Sequence, residues 1–517
     1  MPVRSAVERA RRMIHHACMP TALAPALRRR TFLTISGVAF AGLVVQLGRR
    51  PRVARAAVYG ELIEDPAGIM DLPRGFSYRI LDRTGEVMDD GYAVPGLPDG
   101  MATFAGPGGT VIVMRNHELR TTDGPYGPKQ APPEAFDAKT MGSVTRVVVD
   151  ASTFERLSSN LVLCGTLSNC AGGPSPWGWL SCEENTAPGH GYVFVCDPLA
   201  SQVQAPVSVP AFGRFRHEAA CVDPASGRVY LTEDRHNSCL YRFVPNEPEL
   251  PFIGRLQALR VVGVEVADTG AMAAGAEPVA IDWVDIDEPD PEGDTVRAQA
   301  QAKGAAIFIR GEGITFTQEG IYAVATTGGP IGKGQIFRLV DGEVGGRLEV
   351  ITESIDPALL DMPDNITMAP WGELFFCEDG NNGNYLRGLT RDGALFNFAR
   401  NVRSTGELAG VCLSPDGRAL FVNMQQDGMT LVITGPFPEM GEPNEHESSS
   451  SGDGGSGDGS SGDGGETGSE TATAGEGSSG GACQTDPDGA DVATAALLAA
   501  LIGTSAVDRR RRGGSSS

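Results

Sequence analysis

Segments with the periodicity of a long amphipathic helix are almost absent from this 517-residue sequence. Between residues 57 and 438 the chain instead shows short β-rich apolar runs, each preceded by a turn that contains glycine. Short runs of this kind, bounded by turn residues, are typical of β-strands. Phe, Val, Ile and Leu are also frequent enough to form a buried core. The pattern therefore predicts an all-β domain over residues 57–438.

Basic residues are also scarce. The sequence has 42 Lys and Arg against 65 Asp and Glu, a formal net charge of −23, and no basic stripe within residues 57–438. Proteins that bind nucleic acids usually carry such a stripe, because it attracts the phosphates. We therefore expect no nucleic-acid partner.

Long hydrophobic runs are missing, apart from one apolar stretch near each end of the sequence, of which the N-terminal one is moderately apolar. It follows Arg29 and Arg30 in RRRTFLTISGVAFAGLVVQLG, and ARA at 54–56 supplies small residues for cleavage before Ala57. This arrangement is typical of a twin-arginine signal, so residues 1–56 are predicted to engage the twin-arginine export machinery. The mature protein would then be periplasmic, or cell-surface and extracellular. A lone membrane anchor is the alternative, although about 17 residues are few for one.

The C-terminal part has the composition of a linker followed by a tail. Residues 439–482 are rich in Ser, Gly, Asp and Glu, which predicts a disordered, charged linker because nothing there can form a core. Residues 483–517 contain Cys483, the apolar stretch VATAALLAALIGTSAV and RRRR at 509–512. This segment resembles the C-terminal sorting tails of some surface-attached bacterial proteins. It predicts attachment to a membrane or cell surface.

The cysteines give no separate metal-binding pattern. Ten cysteines in an exported chain suggest disulfides. Five of them, however, lack ligand-like spacing and are equally compatible with buried thiols: Cys164, Cys196, Cys221, Cys239 and Cys412.

A repeat runs through residues 57–438. Each copy is a turn with glycine, a short apolar run, and small or polar residues, and the six copies are GGTVIVMRNHE (108–118), SPWGWLSCEEN (175–185), SGRVYLTEDR (226–235), QEGIYAVATTGG (318–329), APWGELFFCEDG (369–380) and PDGRALFVNMQQ (415–426). Repeats at this spacing are typical of β-propeller blades. The sequence thus predicts a six-bladed β-propeller with a short helical insertion around DPEGDTVRAQAQAKG. Two β-sandwiches in series are the alternative, which does not explain the recurring acidic endings.

Acidic residues follow several of these predicted strands. In a propeller the equivalent strand ends converge, which would bring together Glu118, Glu183, Glu184, Glu233, Asp234, Glu378 and Asp379. Crowded carboxylates take up protons or bind cations, so this pattern predicts a metal site. Oxygen ligands favour calcium, while Cys170 or His217 would favour a transition metal for part of the site. Carbonyl oxygens could come from Asn116, Asn169 and Asn365.

Two further motifs carry charge. In IFIRGEGI, Arg310 and Glu312 would lie on one face of a strand, where a guanidinium could bind phosphate oxygens. A surface ion pair is the alternative interpretation. His217 and Glu218 in GRFRHEAACVDP are a weaker signal. No Ser-His-Asp arrangement stands out, so catalysis would depend on bound ions.

Taken together, the motifs resemble those of the PhoX-type alkaline phosphatases and their shorter relatives. The resemblance runs from about Leu72 to Phe437 and rests on NCAGGPSPWGWLSCEEN, GRFRHEAACVDPASGRVYLTED, FIRGEGI, MPDNITMAPWGELFFCEDG, NYLRGLTRDG and GELAGVCLSPDGRALFVNMQ. It implies a six-bladed propeller, twin-arginine export, and hydrolysis of small-molecule phosphate esters at a mixed cluster of iron (Fe³⁺) and calcium.

The resemblance also implies roles for individual residues. Arg310 and Glu312 would contact the substrate phosphate. The metal-binding or neighbouring groups would be Cys170, Glu183, Glu184, Glu218, Asn116, Glu118, Asn365 and Glu378.

The sequence departs from this family in two places. Relatives have one residue more between Trp-Gly and Cys-Glu than PWGWLSCEE at 176–184, whereas PWGELFFCED at 370–379 keeps it. A deletion inside a strand reverses the faces beyond it, so Glu183 and Glu184 are expected to exchange roles unless a lost bulge absorbs the change. The insertions of larger family members are also missing, so the substrate entrance is expected to differ.

The expected function is therefore metal-dependent hydrolysis of phosphate esters outside the cytoplasm. Two alternatives remain. MPDNITMAPWGEL also resembles a motif of calcium-dependent lactonase propellers, against which Cys170 and the Arg310–Glu312 pair argue. A non-catalytic propeller displayed on the cell surface for binding is the other, because a fold does not fix a function.

Overall fold

A computed structural model describes residues 59–121, 131–381 and 383–438. The predicted signal (1–56), linker (439–482) and sorting tail (483–517) lie outside the described residues. Within the described ranges, no helix is both long and apolar enough to cross a membrane.

The described chain forms 26 β-strands, of which the first fourteen lie in the N-terminal half. These are β1 (Leu62–Ile63), β2 (Met70–Pro73), β3 (Ser77–Arg83), β4 (Pro98–Gly106), β5 (Thr110–His117), β6 (Gly142–Asp150), β7 (Arg156–Thr166), β8 (Asn169–Ser175), β9 (Gly178–Glu183), β10 (Val193–Cys196), β11 (His217–Val222), β12 (Val229–Glu233), β13 (Tyr241–Pro245) and β14 (Gly254–Val261).

The C-terminal half continues the pattern and contains one α-helix of the described chain, α1 (Val296–Ala302), between β15 and β16. Its strands are β15 (Val279–Asp285), β16 (Gly311–Thr317), β17 (Gly320–Ala325), β18 (Gln335–Val340), β19 (Gly346–Glu353), β20 (Pro363–Met368), β21 (Leu374–Glu378), β22 (Tyr385–Leu389), β23 (Leu395–Asn401), β24 (Leu408–Leu413), β25 (Ala419–Met424) and β26 (Met429–Thr434). Because α1 lies within the insertion around TVRAQAQAKG, the predicted short helix is confirmed.

The strands form antiparallel sheets in which chain neighbours pair. Two sheets have four strands (β4-β5-β6-β7 and β24-β25-β26-β3) and one has three (β10-β9-β8). A six-stranded sheet runs β1-β2-β23-β22-β21-β20, and a nine-stranded sheet runs β11-β12-β13-β14-β15-β19-β18-β17-β16. Within the latter, β15 joins β14 to β19.

Six strands, which we call the inner strands, contact one another in a closed ring. Their order is β4, β8, β11, β16, β20 and β24, and β24 returns to contact β4. Sheets that stand around a central axis in this way have a propeller-like arrangement. The all-β, propeller-like prediction is confirmed.

The repeat found in the sequence corresponds to one element of this arrangement. All six copies place their apolar run on the strand that pairs with an inner strand, namely β5, β9, β12, β17, β21 and β25. We call these the second strands. Their ends therefore approach the central axis together, as the sequence predicts.

The second strands bury both faces. In β25 all six residues are buried, and alternate side chains enter different cores. Leu420 and Val422 pack in one cluster with Phe375 and Phe398, while Phe421 packs in another with Val113 and Val432. Side chains on a strand alternate between faces, so each sheet has an apolar core on either side.

The ring is closed by the two ends of the described chain. β3, near the N-terminus, pairs antiparallel with β26, the last strand, through partners such as Tyr78 and Ile433. The four-stranded sheet thus combines three strands from the C-terminal end with one from the N-terminal end.

Every cysteine among the described residues is a buried free thiol. These are Cys164, Cys170, Cys182, Cys196, Cys221, Cys239, Cys377 and Cys412. Of the two interpretations left open by the sequence, the structure shows buried thiols for this part of the chain.

Candidate functional site

Five of the inner strands begin to pair with their second strands in the same way. After a first paired residue, the inner strand uses one residue more than its partner, which is a β-bulge. The first pairs are Pro98–His117, Asn169–Glu183, His217–Glu233, Gly311–Ala325 and Pro363–Glu378.

The residue after each first pair on the inner strand lines a central cavity of about 230 Å³. These five residues are Asp99, Cys170, Glu218, Glu312 and Asp364. In β24 the bulge follows Ala409, so the corresponding position is Gly410, which has no side chain. Glu407, just before β24, supplies an acid from that side of the cavity instead.

The residue that follows each first pair on the second strand lines the same cavity. These residues are Glu118, Glu184, Asp234, Thr326 and Asp379. Each donates its backbone N–H to the carbonyl of the residue before the inner strand, at 2.8–3.3 Å, and the acceptors are Leu97, Ser168, Arg216, Arg310 and Met362. Four of these acceptors have positive φ, between 45° and 57°: Leu97, Ser168, Arg310 and Met362. One backbone geometry, repeated around the axis, therefore aims two side chains from each strand pair at the cavity.

Two groups within the cavity have the composition of a metal site. The ligand atoms of Cys170, Glu184 and Glu218 lie within 4.8 Å of one another, as do those of Glu218, Glu312 and Asp364. Glu218 belongs to both groups, so they form one continuous cluster. All five residues are buried.

Burial and mutual repulsion disfavour the charged forms of these acids. Burial, and then the Asp364 carboxylate, raises the pKa of Glu218 well above its usual range. Burial and Asp234 do the same to the pKa of Glu312. The pKa of Glu184 is raised to about 8 by burial, with Glu118 adding to the shift and Arg216 opposing it. Burial and the neighbouring Asp379 raise the pKa of Asp364 to about 7.

Such acids hold protons at neutral pH unless cations take their place. Burial, followed by Glu218, also raises the pKa of the Cys170 thiol. Asp99, Glu118 and Glu407 extend the acidic cluster, and the Gln425 amide donates to all three, at 3.0, 3.4 and 3.5 Å. The donor set, one thiol among many carboxylates, suits metal cations.

Arg310 is held rigidly at the edge of this cluster. Its Nε and Nη2 donate to the two oxygens of Asp234 at 2.8 and 3.0 Å, and Nη2 also donates to Glu312 at 2.9 Å. Although burial opposes it, these carboxylates raise the pKa of Arg310, so the guanidinium stays charged. The structure thus brings together Arg310 and Glu312 as the sequence predicts, in the cavity and away from the outer surface.

The acidic pairs at the strand ends divide between two roles. Glu183 accepts from the backbone N–H groups of Leu167, Gly191 and Tyr192 at 2.9, 2.7 and 3.1 Å, and contacts His190 Nδ1 at 2.8 Å. Its neighbour Glu184 lines the cavity. Adjacent residues on an extended strand point to opposite faces, so only one of the pair reaches the axis.

The same division recurs in two other strand pairs. Glu378 accepts from the N–H of Asp361 at 2.8 Å and contacts Arg387, while Asp379 lines the cavity. Glu233 accepts from the Tyr241 hydroxyl at 2.9 Å. The structure therefore does not bring Glu183, Glu233 and Glu378 into the cavity. They hold the loops that shape it.

The one-residue difference between PWGWLSCEE and PWGELFFCED lies in the length of a hairpin turn. β8 and β9 pair directly from Ser175 to Gly178, which leaves two residues in the turn. Between β20 and β21, the Ala369 N–H donates to the Glu373 carbonyl at 2.8 Å across the corresponding turn, which leaves three residues between them. Beyond the turns the register agrees, so Glu184 and Asp379 occupy equivalent positions. The exchange of roles expected relative to other family members stays a prediction.

The predicted asparagines support the cluster from beside the cavity. Asn116 donates to the carbonyls of Cys170 and Ala171 at 3.2 and 2.6 Å. Its own oxygen accepts from Trp179 Nε1 at 2.8 Å and the Ser181 hydroxyl at 2.9 Å. Asn116 thus fixes the backbone that carries Cys170.

Asn365 has a similar place beside the acidic layer. Its amide donates to Asp364 at 3.1 Å, and its oxygen accepts from the Gly410 N–H. Neither Asn365 nor Asn116 lines the central cavity.

The sequence interpretation missed several residues that line the cavity. They are Asp99, Arg120, Arg216, Thr326, Asp364 and Glu407, and Asp234 and Asp379 were noted only as strand-end acids. A signal existed for some of them: PDG at 98–100, HEA at 217–219, GEG at 311–313 and PDN at 363–365 all begin inner strands. That second repeat, an acid at the second residue of the inner strand in four units, could have identified Asp99 and Asp364.

Comparison with known families decides between the alternatives raised by the sequence. The family model described as "Alkaline phosphatase PhoX" matches residues 57–158 and 140–428, well over half of the chain. The chain belongs to the PhoX alkaline phosphatase family. It is therefore a phosphoric ester hydrolase, and PhoX-type phosphatases are metal-dependent, which agrees with the acidic cluster. No curated protein matches the chain.

The fold is shared with a solved structure. Pseudomonas fluorescens PhoX in complex with vanadate, a transition state analogue, is 18% identical, with a TM-score of 0.57, covering 74% of this chain and 97% of that one. A gluconolactonase from Xanthomonas campestris is more distant, at 13% identity and a TM-score of 0.35, with 74% of this chain and 99% of that one covered.

Proposed function

We propose that the chain is an exported alkaline phosphatase that hydrolyses phosphate esters in the central cavity with the aid of iron and calcium. The observation that carries this proposal is the juxtaposition of Arg310 with the buried cluster of acids and one thiol. Phosphoryl transfer needs positive charge around the transferred group, and this cavity is built to hold it.

The residues suit the proposed metals by their chemistry. Cys170, with Glu184 and Glu218, would hold iron, because a thiolate favours a transition metal. The oxygen-only side, with Asp99, Glu118, Glu312, Asp364 and Glu407, would hold calcium. When bound, the ions would polarise the phosphoryl oxygens and offset their negative charge.

The chain's own residues orient and bind the phosphate. Arg310 is fixed by Asp234 and Glu312, so its guanidinium does not need to reorganise when an anion arrives. A preorganised charge next to the reacting group stabilises the transition state more than a mobile one. Arg310 would therefore bind the phosphoryl oxygens, and Asp234 would position Arg310.

We propose that the propeller has six blades. The nine-stranded sheet contains two inner strands, β11 and β16, each with its own second strand, so it would represent two blades joined through β15. The remaining sheets would supply one blade each, which agrees with six inner strands.

The domain organisation and location remain part of this proposal. Residues 1–56 would direct export of the folded protein by the twin-arginine route, and 57–438 would form the catalytic domain. Residues 439–482 and 483–517 would act as a linker and a tail that attaches the enzyme to a membrane or cell surface.

Hydrolysis of p-nitrophenyl phosphate tests the proposal. Protein exported through its own signal would be assayed at alkaline pH with calcium, before and after chelation, and its iron and calcium content measured. We expect activity that chelation removes and that Arg310→Ala lowers steeply. Arg338→Ala is the matched control, because Arg338 binds Glu349 in a similar pair outside the cavity and should keep activity. Iron-loaded protein without activity would refute the proposal.

A further inference from the structure

Arg216 and Arg310 hold equivalent positions on neighbouring strand pairs. Arg216 precedes the first paired residue of β11, and Arg310 precedes that of β16. The carbonyl of each accepts the N–H of the residue that follows the first pair on the second strand, at 3.3 Å for Arg216 and 2.9 Å for Arg310. The bulge geometry therefore presents both guanidinium groups to the cavity.

Their acidic partners are equivalent as well. Arg310 pairs with Asp234 and Arg216 pairs with Glu184, and each acid follows the end of the second strand in the preceding strand pair. The two arginine–carboxylate pairs are thus one contact repeated around the axis. Both stand at the cluster, since Glu184 and Glu312 each lie within 4.8 Å of Glu218 through their ligand atoms.

The two arginines differ in how many of their hydrogen-bond donors have a partner. Arg310 donates from both Nε and Nη2 to the acids around it. Arg216 donates from Nη2 to Glu184, whereas its Nε is shielded from solvent and has no hydrogen-bond partner among the described residues. A buried donor without a partner is costly, and a bound anion would satisfy it.

The acidic groove that adjoins the cavity would repel an anion. A groove of about 460 Å³ adjoins the cavity and shares Asp379 and Glu407 with it. It also contains Asp427 and the polar side chains of Asn381, Ser404 and Gln426, and no arginine or lysine lines it within the described chain. An additional negative charge on a substrate is therefore disfavoured toward this groove and favoured on the side of the cavity that carries the arginines.

From these contacts we infer that Arg216 binds a second anionic group of the substrate, beside the phosphoryl group that faces Arg310. The preferred substrates are phosphate monoesters whose alcohol portion carries a carboxylate or another phosphate. This inference rests on the proposed phosphatase function and specifies its substrate class.

Two non-hydrolysable ligands test the inference by binding alone. The probes are 3-phosphonopropionate, which carries a carboxylate, and propylphosphonate, which does not. Titration calorimetry on the metal-loaded, full-length protein should show the carboxylate-bearing probe binding about tenfold more tightly, as one charge-assisted hydrogen bond allows. Arg216→Gln should bring the two affinities close together, and Arg216→Lys should restore part of the difference.

Arg120→Gln is the matched control. Arg120 also lines the cavity, but its side chain is 60% exposed and pairs with Glu118. The affinity ratio should survive in this variant. Equal affinities in the unaltered protein, equal weakening of both probes by Arg216→Gln, or loss of the ratio in Arg120→Gln would each overturn the inference.

Turnover provides an independent comparison. The ratio of kcat/KM for 3-phosphoglycerate to that for glycerol 3-phosphate should fall about tenfold in Arg216→Gln. Misfolding or loss of metal would lower both values together and leave their ratio unchanged. If the unaltered protein hydrolyses neither ester, the proposed function fails, while the phosphonate titration still decides the role of Arg216.

Discussion

Asp234 and Arg310 are joined by two parallel hydrogen bonds, from Nε to Oδ1 at 2.8 Å and from Nη2 to Oδ2 at 3.0 Å. Asp234 follows β12 and Arg310 precedes β16, so the contact joins successive strand pairs and fixes the spacing between two parts of the ring. A planar pair of this kind fixes the orientation of the guanidinium as well as its position.

Asp234→Asn should lower kcat by about 10- to 100-fold, because a misplaced binding group costs that much in a preorganised site. Iron and calcium content should change little. Asp294→Asn is the control, since Asp294 accepts from Arg235 at 2.9 Å outside the cavity. Unaltered kinetics in Asp234→Asn would show that Arg310 does not depend on this partner.

Replacing each of the two adjacent glutamates should affect a different property of the protein: Glu183→Gln its stability and Glu184→Gln its iron binding. Glu183→Gln places an amide where three backbone N–H groups converge, so it should lower the free energy of unfolding by about 3 kcal/mol in urea melts. Glu184→Gln should unfold like the unaltered protein once metal is removed. It should bind iron at least about tenfold more weakly. Removing a group that only orients a metal ligand typically weakens metal binding by about that much, and removing a ligand should weaken it at least as far.

The same two measurements can contradict this division of roles. Metal loss in Glu183→Gln at unchanged stability would place its carboxylate in the cluster, in place of Glu184.

Cys170 is the only sulfur among the residues that line the described cavity. Cys170→Ser should therefore lose most of its iron, while the oxygen ligands keep calcium. Elemental analysis of the purified protein measures both. Cys196→Ser, which alters a fully buried thiol outside the cavity, should retain both metals. Equal iron in both variants would exclude Cys170 as a ligand.

Gly313 allows two inner strands to approach closely. A Cβ atom there would lie 2.5 Å from the Asp364 carbonyl and 2.7 Å from the Ile366 nitrogen. Gly313→Ala should cost about 1–3 kcal/mol of stability, and it should reduce activity because Asp364 must move.

Gly293→Ala provides the comparison, because its Cβ would meet nothing nearer than Thr295 Cγ2 at 3.8 Å. It should stay within about 0.5 kcal/mol of the unaltered protein. Equal stability of the two alanine variants in urea melts would show that the inner strands tolerate the extra methyl group.

Much of the architecture could be predicted because the second strands are nearly identical in pattern. Runs such as VYLTED and LFFCED combine a buried strand with an acidic end, so both the fold class and the convergence of the ends follow from one repeat. The inner strands carry less regular signals. Their acids lie within bulges and lack the alternating pattern by which strands are recognised.

The choice between adjacent acids could not be made from sequence. Glu183 and Glu184 are chemically identical, and which one faces the axis depends on the register set by the preceding turn. The length of that turn, two residues in one copy and three in another, decides whether a deletion alters the strand. Arg216 was missed for a related reason, since its equivalence with Arg310 becomes visible only when the first pairs are aligned.

The closure of the ring by β3 and β26 makes assembly of the acidic layer depend on synthesis of the chain through Thr434. Asp99 belongs to the first inner strand and Glu407 precedes the last, yet both contact the Gln425 amide. A nascent chain that has not yet reached Thr434 cannot offer β26 to β3, and the two halves of the acidic layer remain apart. With the proposed metals, the cavity would therefore bind its ions only in a closed ring, so that metal content would distinguish the assembled propeller from an incomplete one.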